Sequence, residues 1–107
     1  MLLLLLLLLL VIRKHFTEHP YSRSVELERQ VELRCLAPEA VPPAEVAWTR
    51  NGAPIEPKKE PNFIISSEGH LLIVQARLAD MGNYTCHADN VAGRRLSDTA
   101  LLTVVGQ

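Results

Sequence analysis

The stretch Asp80-Met81-Gly82-Asn83-Tyr84-Thr85-Cys86 says most about the fold of this 107-residue chain. Tyr84 precedes Cys86 by two residues, so an extended strand turns both side chains to the same face. From there the tyrosine hydroxyl can donate a hydrogen bond back to the upstream backbone and fix the corner at which the strand begins. The stretch therefore predicts a β-strand that follows a sharp bend and buries Tyr84 and Cys86.

Two further residues of this stretch fit a bend before the strand. Gly82 has no β-carbon, so the backbone can turn there at little steric cost. Asp80 lies just before the turn, where its carboxylate can pair with a base, and Arg77 and Lys59 are the candidates. We therefore predict that Asp80, Gly82 and Tyr84 belong to the core signature of the domain.

A second pattern places Cys35, Trp48 and Cys86 together. Cys35 lies 51 residues before Cys86 and 13 residues before Trp48, and the alternation around each residue directs its side chain inward. The two sulfurs can then meet between two sheets with the indole packed on them. A disulfide that closes such a loop lowers the entropy of the unfolded chain, which adds roughly 4 kcal/mol to the free energy of unfolding in the chain-entropy model. We predict a Cys35–Cys86 disulfide packed on Trp48.

Short runs of alternating apolar and polar residues continue along the chain, with turn residues between them. Asn51-Gly52 predicts a tight turn, since both residues tolerate positive φ. The pattern gives about seven short strands and predicts an all-β fold of two packed sheets. The residues expected to face inward include Val31, Leu33, Val46, Leu71, Ile73, Ala88, Ala100, Leu102 and Val104, whereas Leu72, Val74, Leu101 and Val105 are expected to face outward.

The first 12 residues differ from the rest in composition. Residues 2–12 are all apolar, and as a helix they would be roughly 16 Å long, about half the thickness of a bilayer's hydrocarbon core. Such a run is too short to cross a membrane and resembles the apolar part of a secretory leader. We predict that residues 1–12 are a leader or a truncation artefact outside the fold, that residues 13–23 are an interdomain-type linker, and that residues 24–105 form the domain.

The composition argues against several classes of function. The 12 acidic and 11 basic residues give a net charge of −1, whereas nucleic-acid-binding domains usually carry a clustered positive excess. No Gly-x-Ser-x-Gly elbow is present. His70 and His87 are expected on different sheets, and no further ligands lie near the cysteines. We therefore expect a binding module, with no catalysis, cofactor or metal.

These spacings resemble the intermediate set of immunoglobulin-like domains over residues 24–105. The resemblance implies a Greek-key sandwich of two sheets with one inter-sheet disulfide. Longer stretches resemble, more specifically, the second immunoglobulin domain of the uncoordinated-five type netrin receptors. These stretches are Arg13–Pro20, Leu36–Trp48, Pro61–Ile65, Gln75–Asp80, Asn83–Cys86 and the pair Arg94-Arg95.

That resemblance implies an extracellular ligand-binding module of an axon-guidance receptor, which acts by surface complementarity. The full-length receptors of this family are single-pass proteins on the outer face of the plasma membrane. The implied partners are a netrin-like protein, heparan sulfate, and the adjacent immunoglobulin and thrombospondin-type domains. We expect no membrane-spanning segment in the present chain.

Five residues are candidate sites. Asn83-Tyr84-Thr85 is a glycosylation sequon, and Asn83 should face outward because Tyr84 faces inward. Arg94 and Arg95 are expected in the loop between the last two strands, where guanidinium groups can bind carboxylate or sulfate. Pro42 and Pro43 pre-order a second loop that can contact a ligand with little loss of entropy.

Two alternatives remain open at this stage. Intracellular elastic immunoglobulin repeats of muscle share the Asp-x-Gly-x-Tyr-x-Cys signature but keep their thiols reduced. Another cell-adhesion protein could also carry the same fold, because a fold does not determine a function.

Overall fold

A computed structural model describes residues 10–106, so most of the predicted leader lies outside the described residues. The described chain contains eleven short strands and one turn of 3₁₀ helix at Leu78–Asp80. The strands are β1 (Val11–Ile12), β2 (Arg23–Glu26), β3 (Val31–Leu33), β4 (Ala40–Val41), β5 (Glu45–Arg50), β6 (Ala53–Pro54), β7 (Phe63–Ile65), β8 (Leu71–Ile73), β9 (Gly82–Asn90), β10 (Gly93–Leu96) and β11 (Ala100–Val105).

Two sheets form the sandwich. One has the order β3-β8-β7, and the other has the order β2-β11-β9-β5-β6, with β10 also paired to β9. All pairs are antiparallel except β2 and β11, which run parallel. Asn51 and Gly52, with φ values of 52° and 82°, form the predicted tight turn between β5 and β6. The prediction of an all-β, two-sheet sandwich is confirmed.

Residues of alternating burial fill the space between the sheets. Trp48 and Tyr84 are fully buried, and Trp48 is the cross-strand partner of Cys86. The Cys35–Cys86 disulfide joins the two sheets, with a Cα–Cα distance of 6.5 Å. The predicted inward residues lie in the core, although Val46 is only partly buried. Val74, Leu101 and Val105 are exposed, as predicted, and Leu72 is partly exposed.

The N-terminal segment departs from the prediction that residues 1–12 lie outside the fold. Val11 and Ile12 form β1, which pairs with β4, and Ile12 is buried in the core. Phe16 of the predicted linker is also buried, and Glu18 exchanges backbone hydrogen bonds with Leu36. Residues 10–20 therefore pack on the sandwich. The side chains of Ile12 and Phe16 pack into the core. The residue pattern within the N-terminal segment does not reveal this contact, because the partners lie elsewhere in the chain.

The carboxylate of Asp80 is fully buried, and its partners correct part of the prediction. It accepts hydrogen bonds from the backbone and side chain of Arg77 and from the amide of Asn62. Arg50 approaches it from β5 at 3.5 Å. Lys59, the other candidate, pairs with Glu56 instead. Buried carboxylates need such donors, because burying a charge without partners is costly.

Tyr84 forms the expected corner with Asp80. Its hydroxyl donates to the backbone carbonyl of Asp80, four residues upstream. Burial raises the pKa of Tyr84, so the phenol stays protonated and remains a donor. Gly82 sits at the bend with a φ of 152°, and a β-carbon there would lie 2.8 Å from the side chain of Asn51. The positive φ therefore favours glycine, and a side chain there would also have to displace the Asn51 amide.

Candidate binding surface

One end of the sandwich, which we name the β1 pole, gathers three segments that are distant in sequence. It consists of Val11–His15, Ala40–Pro43 and Asn90–Arg95. The Asn90 side chain joins them, because its Nδ2 donates to the carbonyl oxygens of Val11 and Pro42 at 2.9 and 3.0 Å. The predicted Pro42-Pro43 loop and the predicted arginine pair therefore lie at the same end of the molecule.

Arg94 makes a two-pronged ion pair with Asp89 across β9 and β10. Its Nε and Nη2 donate to the two carboxylate oxygens of Asp89 at 2.7 and 2.9 Å. The hydrogen bonds lower the pKa of Asp89 and raise the pKa of Arg94. The charge of Arg94 is thus compensated within the protein, which weakens its attraction for an external anion.

Arg95 has a different environment from Arg94. Its three guanidinium nitrogens donate to the carbonyl oxygens of Arg13, Ile12 and Arg94 at 3.1, 3.1 and 3.2 Å. Both arginines lie in β10, and not in the loop where the sequence placed them. Arg95 therefore fixes the N-terminal segment to the sandwich, and its charge is not balanced by any carboxylate among the described residues within 4.0 Å.

This difference predicts opposite effects of two neighbouring substitutions on stability. Arg95→Ala removes two hydrogen bonds to the N-terminal segment and one to the adjacent Arg94 carbonyl, and should lower the free energy of unfolding by about 1–2 kcal/mol. Arg94→Ala removes an exposed ion pair and should change it by no more than about 0.5 kcal/mol. Urea denaturation of both variants measures the difference. Equal losses would show that Arg95 does not anchor the segment.

The loop around Pro42 and Pro43 is exposed, together with several apolar side chains. Val41 and Val91 are 51% and 75% exposed, and both lie at the β1 pole beside Val11, which is 39% exposed. Exposed apolar side chains grouped at one end are typical of a surface that contacts another protein. The β1 pole is therefore the strongest candidate for a protein contact.

Asn83 lies near the other end of the same sheet. It is exposed on β9 and pairs with Leu101 of β11, and its backbone N–H donates to the side chain of Asn51. Asn83 and Asn90 are seven positions apart along β9, which is roughly 23 Å at 3.3 Å per residue. A glycan on Asn83 would therefore leave the β1 pole accessible.

The two histidines that were expected on different sheets, His70 and His87, do lie in different parts of the sandwich. His70 precedes β8 and accepts a hydrogen bond from the Cys35 backbone N–H, while His87 lies on β9 near Asp89. Among residues 10–106, no three His, Cys, Asp or Glu side chains are grouped to hold a metal. None of the helical segments described is long and apolar enough to cross a membrane.

Sequence reasoning missed the residues that organise the β1 pole. Asn90 showed no motif, because its bonds reach residues 48 and 79 positions away. Arg13, Lys14 and His15 were assigned to a linker, although the consecutive positive charges of Arg13 and Lys14 were visible in the sequence. The packing of the N-terminal segment on the sandwich places them near Arg95, which donates hydrogen bonds to the Arg13 and Ile12 carbonyl oxygens.

Comparisons with known proteins agree with this architecture. The immunoglobulin domain family model matches residues 15–90. A Drosophila receptor protein tyrosine phosphatase, Dlar, is similar in its N-terminal Ig1-2 module at 27% identity and a TM-score of 0.79, over 85% of this chain and 45% of that one. A chimeric titin Z1Z2 matches at 34% identity and a TM-score of 0.78, over 90% and 98% of the two chains. Sidekick-1 immunoglobulin domains 1-4 match at 27% identity and a TM-score of 0.76, over 85% and 24%.

The chain spans about half the length of the tandem Dlar chains that it matches. These relatives include receptors and titin, so they share the fold more than any one role. The family model covers the disulfide, Trp48 and the Tyr84 corner described above. This chain belongs to the immunoglobulin domain family.

Proposed function

We propose that this immunoglobulin domain is an extracellular ligand-binding module of a netrin-type axon-guidance receptor. It binds a protein ligand by surface complementarity and performs no chemistry on it. In the full-length receptor it is flanked by further immunoglobulin and thrombospondin-type domains at the outer face of the plasma membrane. The stretches that resemble the netrin receptors, Arg13–Pro20 and Leu36–Trp48, contribute much of the β1 pole and of the strand beneath it.

The observation that carries the extracellular setting is the buried Cys35–Cys86 disulfide. Both cysteines are fully buried, and the bond spans the two sheets. Such structural disulfides form and persist in oxidising compartments and are rare in the cytosol. The exposed sequon at Asn83 supports the same setting, since its side chain is accessible to modification.

The β1 pole supports the binding role. Its exposed valines offer apolar contact area, and the Asn90 bridge fixes the backbone around them. A surface that is ordered before binding loses less conformational entropy when a partner docks. Strand residues between the sheets are used by the core, so the ends and edges of the sandwich are free for recognition.

Secretion of the chain from cultured animal cells tests the extracellular setting. We expect one N-linked glycan at Asn83, seen as a mass decrease on treatment with a glycan-releasing amidase. Asn83→Gln and Thr85→Ala should abolish the decrease, whereas Thr85→Ser keeps the sequon and should preserve it. A secreted wild-type chain without a glycan would contradict the assignment of Asn83.

The same secreted chain tests the ligand class by surface plasmon resonance over an immobilised netrin-type protein. We expect binding that Val91→Asp weakens, because a charge replaces an exposed valine of the β1 pole. Val105→Asp, on an exposed valine at the far end of β11, is the matched control. No binding, or equal loss in both variants, would argue against this function.

A second candidate is an intracellular structural repeat, favoured by the 34% identity to titin Z1Z2 over 90% of the chain. In that case Cys35 and Cys86 would be reduced in the cell. Alkylation of the unfolded protein without reductant distinguishes the two: both cysteines react if they are thiols, and neither reacts if they form the disulfide.

A further inference from the structure

A surface cavity of about 420 Å³ at the β1 pole has an unusual lining. Two apolar and four basic residues surround it, and none of the described residues that line it is acidic. The lining residues are Val11, Ile12, Arg13, Lys14, His15 and Arg95. The chain as a whole carries a net charge of −1, so positive charge is concentrated here against the overall balance.

Most basic side chains elsewhere are compensated. Six of the 11 lysines and arginines lie within 4.0 Å of a carboxylate. Within residues 10–106 the other five have no such partner, and three of them line this cavity. The five are Arg13, Lys14, Arg23, Lys58 and Arg95. An uncompensated cluster of this kind attracts anions, because its field is not cancelled locally.

Nearby carboxylates do not neutralise the cluster. Glu39 lines an adjoining cavity together with Arg13, but the contact between these two residues is a backbone bond, from the Arg13 N–H to the Glu39 carbonyl at 2.9 Å. The carboxylate of Asp89 already accepts hydrogen bonds from Nε and Nη2 of Arg94. The positive charge of the cavity is therefore available to a ligand.

Arg95 is pre-positioned for such a ligand. Three of its five guanidinium N–H groups donate to backbone carbonyls, and two remain. A guanidinium fixed in this way loses little conformational entropy when it binds a further acceptor. The exposed side chains of Arg13 and Lys14 make no hydrogen bond or ion pair with another described residue, and they line the same cavity.

We propose that Arg13, Lys14, His15 and Arg95 form a binding site for a sulfated polysaccharide chain. Each exposed ion pair contributes little by itself, so a single small anion would bind weakly here. A polymer that presents several sulfates can contact Arg13, Lys14 and Arg95 together and gains from multivalency. A nucleic acid fits less well, since the described lining has no aromatic side chain on which bases could stack.

This inference rests on the extracellular setting proposed above, and not on the netrin assignment. It also differs from the prediction that Arg94 and Arg95 act as a pair. Arg94 is compensated by Asp89, while Arg95 acts with residues that are about 80 positions earlier in the chain. The site is thus a product of the packing of the N-terminal segment.

Surface plasmon resonance over immobilised heparin tests the site with the full oxidised chain. Arg13→Ala combined with Lys14→Ala should weaken binding about tenfold at physiological salt, because two contacts are lost. Lys58→Ala combined with Lys59→Ala removes the same charge away from the cavity and should change affinity less than twofold. All four side chains are largely exposed, so thermal melting should show both variants folded.

Three results would overturn the inference. These are equal weakening in the two double variants, unchanged binding in both, and wild-type binding to desulfated heparin or to an oligonucleotide as tight as to heparin. The assay contains no protein ligand. If the chain binds heparin but no netrin-type protein, this site is supported and the proposed function is contradicted. If it binds a netrin-type protein but not heparin, the proposed function is supported and this site is contradicted.

Discussion

Trp48→Ala is expected to lower the free energy of unfolding by about 3–5 kcal/mol, as deletions of large buried aromatic side chains do. The indole is fully buried between the sheets, opposite Cys86 on the neighbouring strand. Removing it leaves a cavity between two sheets that a disulfide joins, and the surrounding structure relaxes only in part around such a cavity. The lost contacts are not replaced, so the full cost of the cavity should be measured.

Trp48 also makes a hydrogen bond, in addition to its apolar contacts in the core. Its Nε1 donates to the carbonyl oxygen of Gly69 at 2.7 Å, which ties β5 to the turn before β8. At Gly69 a β-carbon would lie 3.0 Å from Val46, so the turn packs closely on the core. Trp48→Phe keeps most of the ring volume and loses this bond, and we expect it to cost less than Trp48→Ala.

Equilibrium urea denaturation measures these differences, with Thr49→Ala as the control. Thr49 is the next residue of β5 and points to the opposite face, where it is partly exposed. Substitutions away from the core usually change stability by no more than about 0.5 kcal/mol. A loss below about 1 kcal/mol for Trp48→Ala would mean that the indole is not central to the core.

The core of the sandwich was predictable because its signals are local. Alternation along Gly82–Asn90 and Ala100–Val105 sets which side chains face inward, and a strand of period two leaves only one choice of face. Turn residues such as Asn51-Gly52 then set where the chain reverses. The spacing of the two cysteines around Trp48 adds a constraint that few folds satisfy.

The N-terminal segment was not predictable in the same way. Val11 and Ile12 continue a leucine run, and an apolar run carries no alternation from which a strand could be inferred. They pair with β4, and their carbonyl oxygens accept hydrogen bonds from Asn90 and Arg95, which are about 80 residues away. Such contacts appear only when the sandwich has been assembled, so the sequence assigned these residues to a leader and a linker.

The candidate site was predicted only in part for the same reason. Arg94 and Arg95 looked equivalent as an adjacent pair of bases, but strand β10 turns them to opposite faces. One faces Asp89 across the strand, and the other reaches the N-terminal segment. Their different partners follow from the register of β9 and β10. That register cannot be read from two adjacent arginines in the sequence.

Removal of the disulfide is expected to lower the free energy of unfolding by about 2–5 kcal/mol, measured on the double variant Cys35→Ala, Cys86→Ala. The bond closes a loop of 51 residues, which in the chain-entropy model is worth roughly 4 kcal/mol. Small domains have a net stability of about 5–15 kcal/mol. The loss is therefore a large fraction of the total and should lower the midpoint of urea denaturation markedly.

Hydrogen bonds around the disulfide limit how large this loss can be. The backbone N–H of Cys35 donates to His70 Nδ1 at 2.9 Å, and that of Cys86 donates to the Ser97 hydroxyl at 2.9 Å. Neither bond uses sulfur, so both should survive the substitution and keep the two strands in register. What is lost is the covalent link and the contact of both sulfurs with the core, including Trp48.

Wild-type protein measured in the presence of reductant separates these two contributions. Reduction removes the covalent link and keeps the sulfur atoms, whereas the double alanine variant removes both. We expect the reduced protein to lose most of the stability that the variant loses, because restriction of the unfolded chain is the larger part in the entropy model. If reduction changes stability by less than about 1 kcal/mol, the bond contributes mainly through packing, and the core would then tolerate the reduced state of an intracellular repeat.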